Sequence, residues 1–172
     1  YFWDFLGKAG KRSLIFSVLS TYPVKPVNGL CIGGFSTPNE EVDFTYPKEL
    51  KDEIISKFGY RLHYANVKEF YARGQHDEML KMFYDRMNIK VTTFCHYLKK
   101  EKWDFAVCSI TKGDTISHYY WADMFTNSPR KNVIENWYGV ADSYIKRFID
   151  AAGPNVNVIL ISDHGFRAPI GA

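Results

Sequence analysis

Apolar positions along this chain fall into short continuous runs, separated by longer stretches with helical spacing. Residues 13–19 (S-L-I-F-S-V-L), 104–110 (D-F-A-V-C-S-I) and 156–162 (V-N-V-I-L-I-S) read as strands buried on both faces. Residues 2–9 place Phe2, Phe5, Leu6 and Ala9 at helical spacing, with Gly10 as a stop. Residues 47–58 predict a helix with Pro47 in its first turn and Gly59 behind it. Residues 76–100 carry Met79, Phe83, Met87, Val91, Phe94 and Leu98 along an apolar face, with a break expected near Asn88. Two further helices are expected. One covers residues 116–125. The other covers 133–152, with Trp137, Ala141, Tyr144 and Phe148 on one side and Gly153-Pro154 as its stop.

The segments between these elements are uneven. Residues 20–39 are dense in Pro, Gly, Ser, Thr and Asn and read as a loop. That loop exceeds the usual connection of ~4–6 residues, and long loops are disproportionately functional. Residues 60–64 allow one short strand. Apolar strands separated by helices of crossover length predict an α/β fold, a mostly parallel sheet covered by helices on both faces. In such sheets ligands bind beyond the carboxyl ends of the strands.

Composition narrows this only a little. The 172 residues suit a single α/β domain, or a part of a larger catalytic domain. The opening Tyr1-Phe2-Trp3 reads as a cut from something longer, with residues 45–95 as an insertion or lid. An aromatic content of 17% predicts a core rich in Phe and Tyr. The net charge of +3 is spread over separated basic pairs, so no nucleic-acid-binding stripe is expected. Cys31, Cys95 and Cys108 form no C-x-x-C motif and read as small buried residues in a reducing, cytoplasmic setting. No run approaches the roughly 18 apolar residues of a membrane span, so no membrane segment is expected in this chain.

The chemistry is concentrated in two stretches. Asp114 and His118, in G-D-T-I-S-H, stand four residues apart at an expected helix start, which puts both on one face. Asp163 and His164, in I-S-D-H-G-F, follow the expected last strand. Alone, the first pair reads as a helix cap beside an unrelated histidine, and the second as a turn. Together they are two carboxylate–imidazole pairs, each after an apolar strand. Such mixtures suit Zn²⁺, Mn²⁺ or another divalent first-row metal, and two cations ~4 Å apart clamp the oxygens of an in-line phosphoryl transfer. His63, His76 and His96 lie in no comparable context and read as surface or satisfied core residues.

At this point the chain resembles the type I phosphodiesterase/nucleotide pyrophosphatase group of the alkaline phosphatase superfamily. F-W-D-F-L-G-K-A-G-K-R-S from Phe2, Y-P-V-K-P-V-N-G from Tyr22, G-D-T-I-S-H-Y-Y-W from Gly113 and I-L-I-S-D-H-G-F from Ile159 carry the resemblance, in the family's order. It spans nearly the whole chain and is loosest over residues 45–95. It implies an alkaline-phosphatase-like fold and a hydrolase of phosphodiester or phosphoanhydride bonds in a small phosphate ester or nucleotide. It also implies two divalent metal ions, with Asp114 and His118 binding one, and Asp163 and His164 the other. The Thr or Ser nucleophile is then expected upstream of Tyr1 and a further histidine beyond Ala172, so the isolated chain is expected to be inactive. A phosphomutase, sulfatase or phosphoethanolamine transferase shares the same D-H-G logic. A non-catalytic α/β binding module is the reading from another class.

Overall fold

The computed structural model describes residues 1–63 and 66–167. The chain forms two compact units, Tyr1–Ser109 and Ile110–Ala172.

The first unit is built on a four-stranded sheet of order β3-β2-β1-β4. Strand β1 (Ser13–Val18) runs parallel to both β2 (Gly29–Gly33) and β4 (Phe105–Cys108), while β3 (Thr45–Tyr46) pairs antiparallel with β2. The chain is therefore α/β with a mostly parallel sheet, as its alternating pattern predicts. Successive residues Ser13 to Ser17 are all at most 6% exposed, so both faces of β1 are covered. That is why its sequence reads as a continuous apolar run instead of an alternating one.

Strand β2 lies inside the segment expected to be loop. Its core is Leu30, Cys31 and Ile32, an apolar triplet bracketed by Gly29 and Gly33 in proline-rich surroundings. Gly29 sits at φ 140° opposite Ser13, and a Cβ there would lie 2.0 Å from the Ser13 carbonyl oxygen. The glycine that looked like a loop signal is what lets the two backbones approach. Residues 60–63 carry no strand, and 64 and 65 lie outside the described residues.

Helix α1 (Phe2–Lys8) precedes β1, and α2 (Leu50–Phe58), α3 (Val67–Ala72) and α4 (His76–Lys100) follow β3. Helix α2 ends on Gly59 in the left-handed conformation. Helix α4 runs unbroken through Asn88, burying Met79, Phe83, Met87, Val91 and Phe94. The weak helix propensity of one Asn, a few tenths of a kcal/mol, is outweighed by that burial. Residues 45–95, considered as an insertion or lid, thus supply much of this unit's core. Cys31 is buried, Cys95 and Cys108 half-buried, none in a disulfide, and burial pushes the Cys31 and Cys108 thiols up to about 12.

Helix α4 packs on β1 at a β-bulge. The ladder slips between Phe16 and Val18, with Ser17 at φ 57°. The Phe16 and Phe94 rings meet edge to face at 5.6 Å, and the buried Lys90 Nζ donates to Ser17 Oγ at 2.9 Å. Burial lowers the Lys90 amine from its ordinary 10.5, partly offset by Cys108.

The last expected strand does not form. Residues 156–162 carry no strand, and Ile159, Leu160 and Ile161 are 72–84% exposed. An apolar, β-branched run becomes a strand only where a neighbour offers a ladder and a surface to pack on, and among the described residues none pairs with it.

The buried amine yields a stability prediction. Between its lowered pKa and 10.5 the unfolded chain binds a proton that the folded Lys90 does not, so native stability rises with pH across that window. Lys90→Met should stabilise the protein by about 1–3 kcal/mol at neutral pH, with the gain shrinking as pH rises towards 10.5. Urea unfolding of both proteins across pH checks this; a difference independent of pH contradicts it.

Candidate functional site

All four candidate ligands belong to the second unit. Its frame is α5 (Lys112–Tyr120), a 3-10 turn (Ala122–Phe125) and α6 (Val133–Ala152). Helix α5 starts at Lys112, four residues earlier than its apolar spacing alone predicts, because Thr111-Lys112-Gly113 enters the helix instead of forming a separate turn. Helices α5 and α6 pack together. Gly113 permits this: a Cβ there would stand 3.0 Å from the Trp137 Nε1. Ile116, Ser117 and Tyr120 are buried on α5, as are Ile134, Trp137, Ala141 and Tyr144 on α6.

Burial of that face leaves Asp114 and His118 on the open side. They are one turn apart, with His118 Nε2 3.4 Å from Asp114 Oδ1. Asp163 and His164 also stand at the surface, with His164 Nε2 3.6 Å from Asp163 Oδ2. They follow an unpaired segment, not the end of a sheet strand as the sequence suggests. The His164 Nδ1 lies 2.8 Å from the Gly165 carbonyl oxygen and donates to it. That bond fixes the tautomer and leaves Nε2 as the ring's outward nitrogen. The same bond, then the charges of Asp163 and Asp114, raises the His164 pKa above its ordinary 6.5. The carboxylate of one pair therefore acts on the imidazole of the other.

Aromatic contacts join the two stretches. Phe166 meets His118 at 4.9 Å between ring centroids, at 83°, and Trp121 at 4.9 Å. Trp121 in turn meets Phe125 at 6.0 Å. Sequence reasoning did not single out Phe166 for this role. The signal available was the aromatic pair flanking the two motifs, Y-Y-W after His118 and Phe166 after D-H-G.

The other histidines are satisfied elsewhere or lie at the surface. His76 packs on Tyr71, and His96 on Phe58 and Tyr97, where burial lowers its pKa. His63 is exposed.

Residues 1–169 match the family described as type I phosphodiesterase/nucleotide pyrophosphatase. The chain belongs to that family. Members of the type I phosphodiesterase/nucleotide pyrophosphatase family are hydrolases acting on small phosphate esters and nucleotides, and the match covers both carboxylate–imidazole pairs. No curated protein and no solved structure matches the chain. No helix among the described residues is long and apolar enough to cross a membrane.

The donor set can be tested against the cations that the resemblance implies. In a tetrahedral zinc site with bonds of ~2.0–2.1 Å, neighbouring ligand atoms stand roughly 3.3 Å apart. The pairs stand at 3.4 Å and 3.6 Å, longer than good hydrogen bonds and close to that edge. A histidine whose other nitrogen donates to a backbone carbonyl is the usual pattern of a metal ligand. Each pair fits as two donors to one cation. Among the described residues no three His, Cys, Asp or Glu side chains come together as a metal site.

The reach of Asp114 to His164 is measurable. Since its charge helps to raise the His164 pKa, Asp114→Asn should move that pKa downwards in the metal-free protein. An NMR titration of the imidazole ring protons reads the shift, and an unchanged His164 titration would separate the two pairs.

Proposed function

We propose that the protein acts in the hydrolysis of phosphodiester or phosphoanhydride bonds of a small phosphate ester or nucleotide, using two divalent cations. Asp114 and His118 would hold one cation, and Asp163 and His164 the other, with Zn²⁺ favoured by the Asp/His donor set and Mn²⁺ or another first-row ion as an alternative. The observation that carries this is the spacing of both pairs, 3.4 Å and 3.6 Å, in a chain of this family. The cations would supply Lewis-acid stabilisation of charge on the phosphoryl oxygens and activate a hydroxyl nucleophile.

The chain's own groups have definable parts in this. Helix α5 holds Asp114 and His118 at a fixed one-turn spacing, so little order is lost on ligation. Gly165 accepts the His164 Nδ1 proton and keeps Nε2 free to ligate.

Zinc titration calorimetry on the chain, and hydrolysis of bis(p-nitrophenyl) phosphate by the whole protein, test this. Asp163→Ala and His118→Ala should each abolish uptake of one cation equivalent and lower hydrolysis at least about 100-fold. Neither uptake nor any activity loss in these variants would favour the non-catalytic binding module instead.

A further inference from the structure

The buried Lys90–Ser17 pair has no part in the metal chemistry, and packing alone does not account for it. Lys90 is 7% exposed and Ser17 6%, with Nζ 2.9 Å from Oγ. Among the described residues no carboxylate acts on the amine. A methionine would fill the same space without burying an amine. Ser17 itself holds φ 57°, a left-handed conformation that suits glycine and strains a serine. Two unfavourable features thus meet at one point, and strain of this kind persists chiefly at functional sites. The point is also the carboxyl end of β1, the strand between β2 and β4. Parallel sheets bind ligands beyond such ends, and the chain reaches solvent at once, since Leu19 is 56% exposed. A strained serine at a strand end, with a base in hydrogen-bond reach, is the arrangement of an activated nucleophile.

We propose that Ser17 and Lys90 form a second nucleophilic site, in which the Ser17 hydroxyl, with Lys90 as its general base, takes the acyl group of a small uncharged ester. The Oγ–H proton passes to the neutral Nζ as Oγ bonds to the carbonyl carbon. The bond from that carbon to the alcohol oxygen then breaks, and the departing oxygen takes the proton from Nζ. Lys90 ends as it began, Ser17 carries the acyl group, and water releases the acid by the same steps. Burial lowers the Lys90 amine from 10.5, so a larger share of it is neutral at a given pH. Cys108, the titratable group that acts on Lys90, has its own thiol pushed up to about 12 by burial, so it neither adds charge nor competes as a nucleophile. A buried site whose base is uncharged offers no counter-charge to a phosphate, which is why the ester is an uncharged one.

The test treats the full chain with p-nitrophenyl acetate, follows release of p-nitrophenolate, and maps acetyl groups by peptide mass spectrometry. Ser17 should be acetylated, at a rate that rises with pH to a plateau below 10.5 and is unchanged by EDTA. Ser17→Ala should abolish that phase of release. Lys90→Met should slow acetylation of Ser17 at least about 100-fold, the usual worth of a general base, with native circular dichroism retained. Acetyl groups on surface lysines alone, loss of the reaction in EDTA, or undiminished Ser17 acetylation in Lys90→Met would each overturn the site. None of these outcomes bears on the metal-dependent hydrolase reading, which stands or falls on zinc uptake.

Discussion

The ring contacts of Phe166 decide whether the second unit has a site at all. Asp114 and His118 are placed by a helix, but Asp163 and His164 stand on an exposed segment that belongs to no helix or strand. Two aromatic contacts, to His118 and Trp121, bring that segment to α5. Aromatic pairs contribute about 0.5–1.5 kcal/mol each beyond their buried area, so this attachment is modest and lies at the low-stability end of the molecule. A ligand shared between the segment and α5 would strengthen it by mass action. Stability of the arrangement and occupancy of the site are in that sense coupled.

How much of this could be read in advance depended on whether the deciding physics was local. Helices α4 and α6 were legible because each sets its own buried face by its own spacing. Strand β1 was legible because a strand covered on both faces must be apolar throughout. Strand β2 was not: its glycines serve a close approach to Ser13 that belongs to the pairing of two strands, and no property of residues 29–33 alone announces it. The run at 156–162 errs in the opposite direction. Its apolar character licenses a strand, but strand formation is a property of a pair, and the partner is not in the segment's own sequence. The same divide separates the site residues. The i, i+4 relation of Asp114 and His118 follows from helix geometry, whereas the contact of Phe166 with His118 joins residues nearly fifty positions apart and could only be seen folded.

The first unit shows a comparable tension at its sheet. A bulge at Ser17 interrupts the ladder between β1 and β2, and the position it occupies is where the buried Lys90 finds a hydroxyl. A lysine at 7% exposure with a hydroxyl as its hydrogen-bond acceptor has its pKa lowered from 10.5 by burial, which disfavours the charged form. Hydrophobic neighbours and one hydrogen bond are enough to keep an amine there.

Charge orders the events at the candidate site. The hydrogen bond to the Gly165 carbonyl, then the Asp163 and Asp114 carboxylates, raise the His164 pKa above its ordinary value. The field that draws a proton to His164 repels the anionic oxygens of a phosphate ester, so the metal-free pairs are a poor phosphate site. On the proposed reading the same field would favour a cation. On the proposed reading, binding of a divalent ion must therefore precede binding of substrate, because only after the carboxylates are neutralised does the local potential change sign.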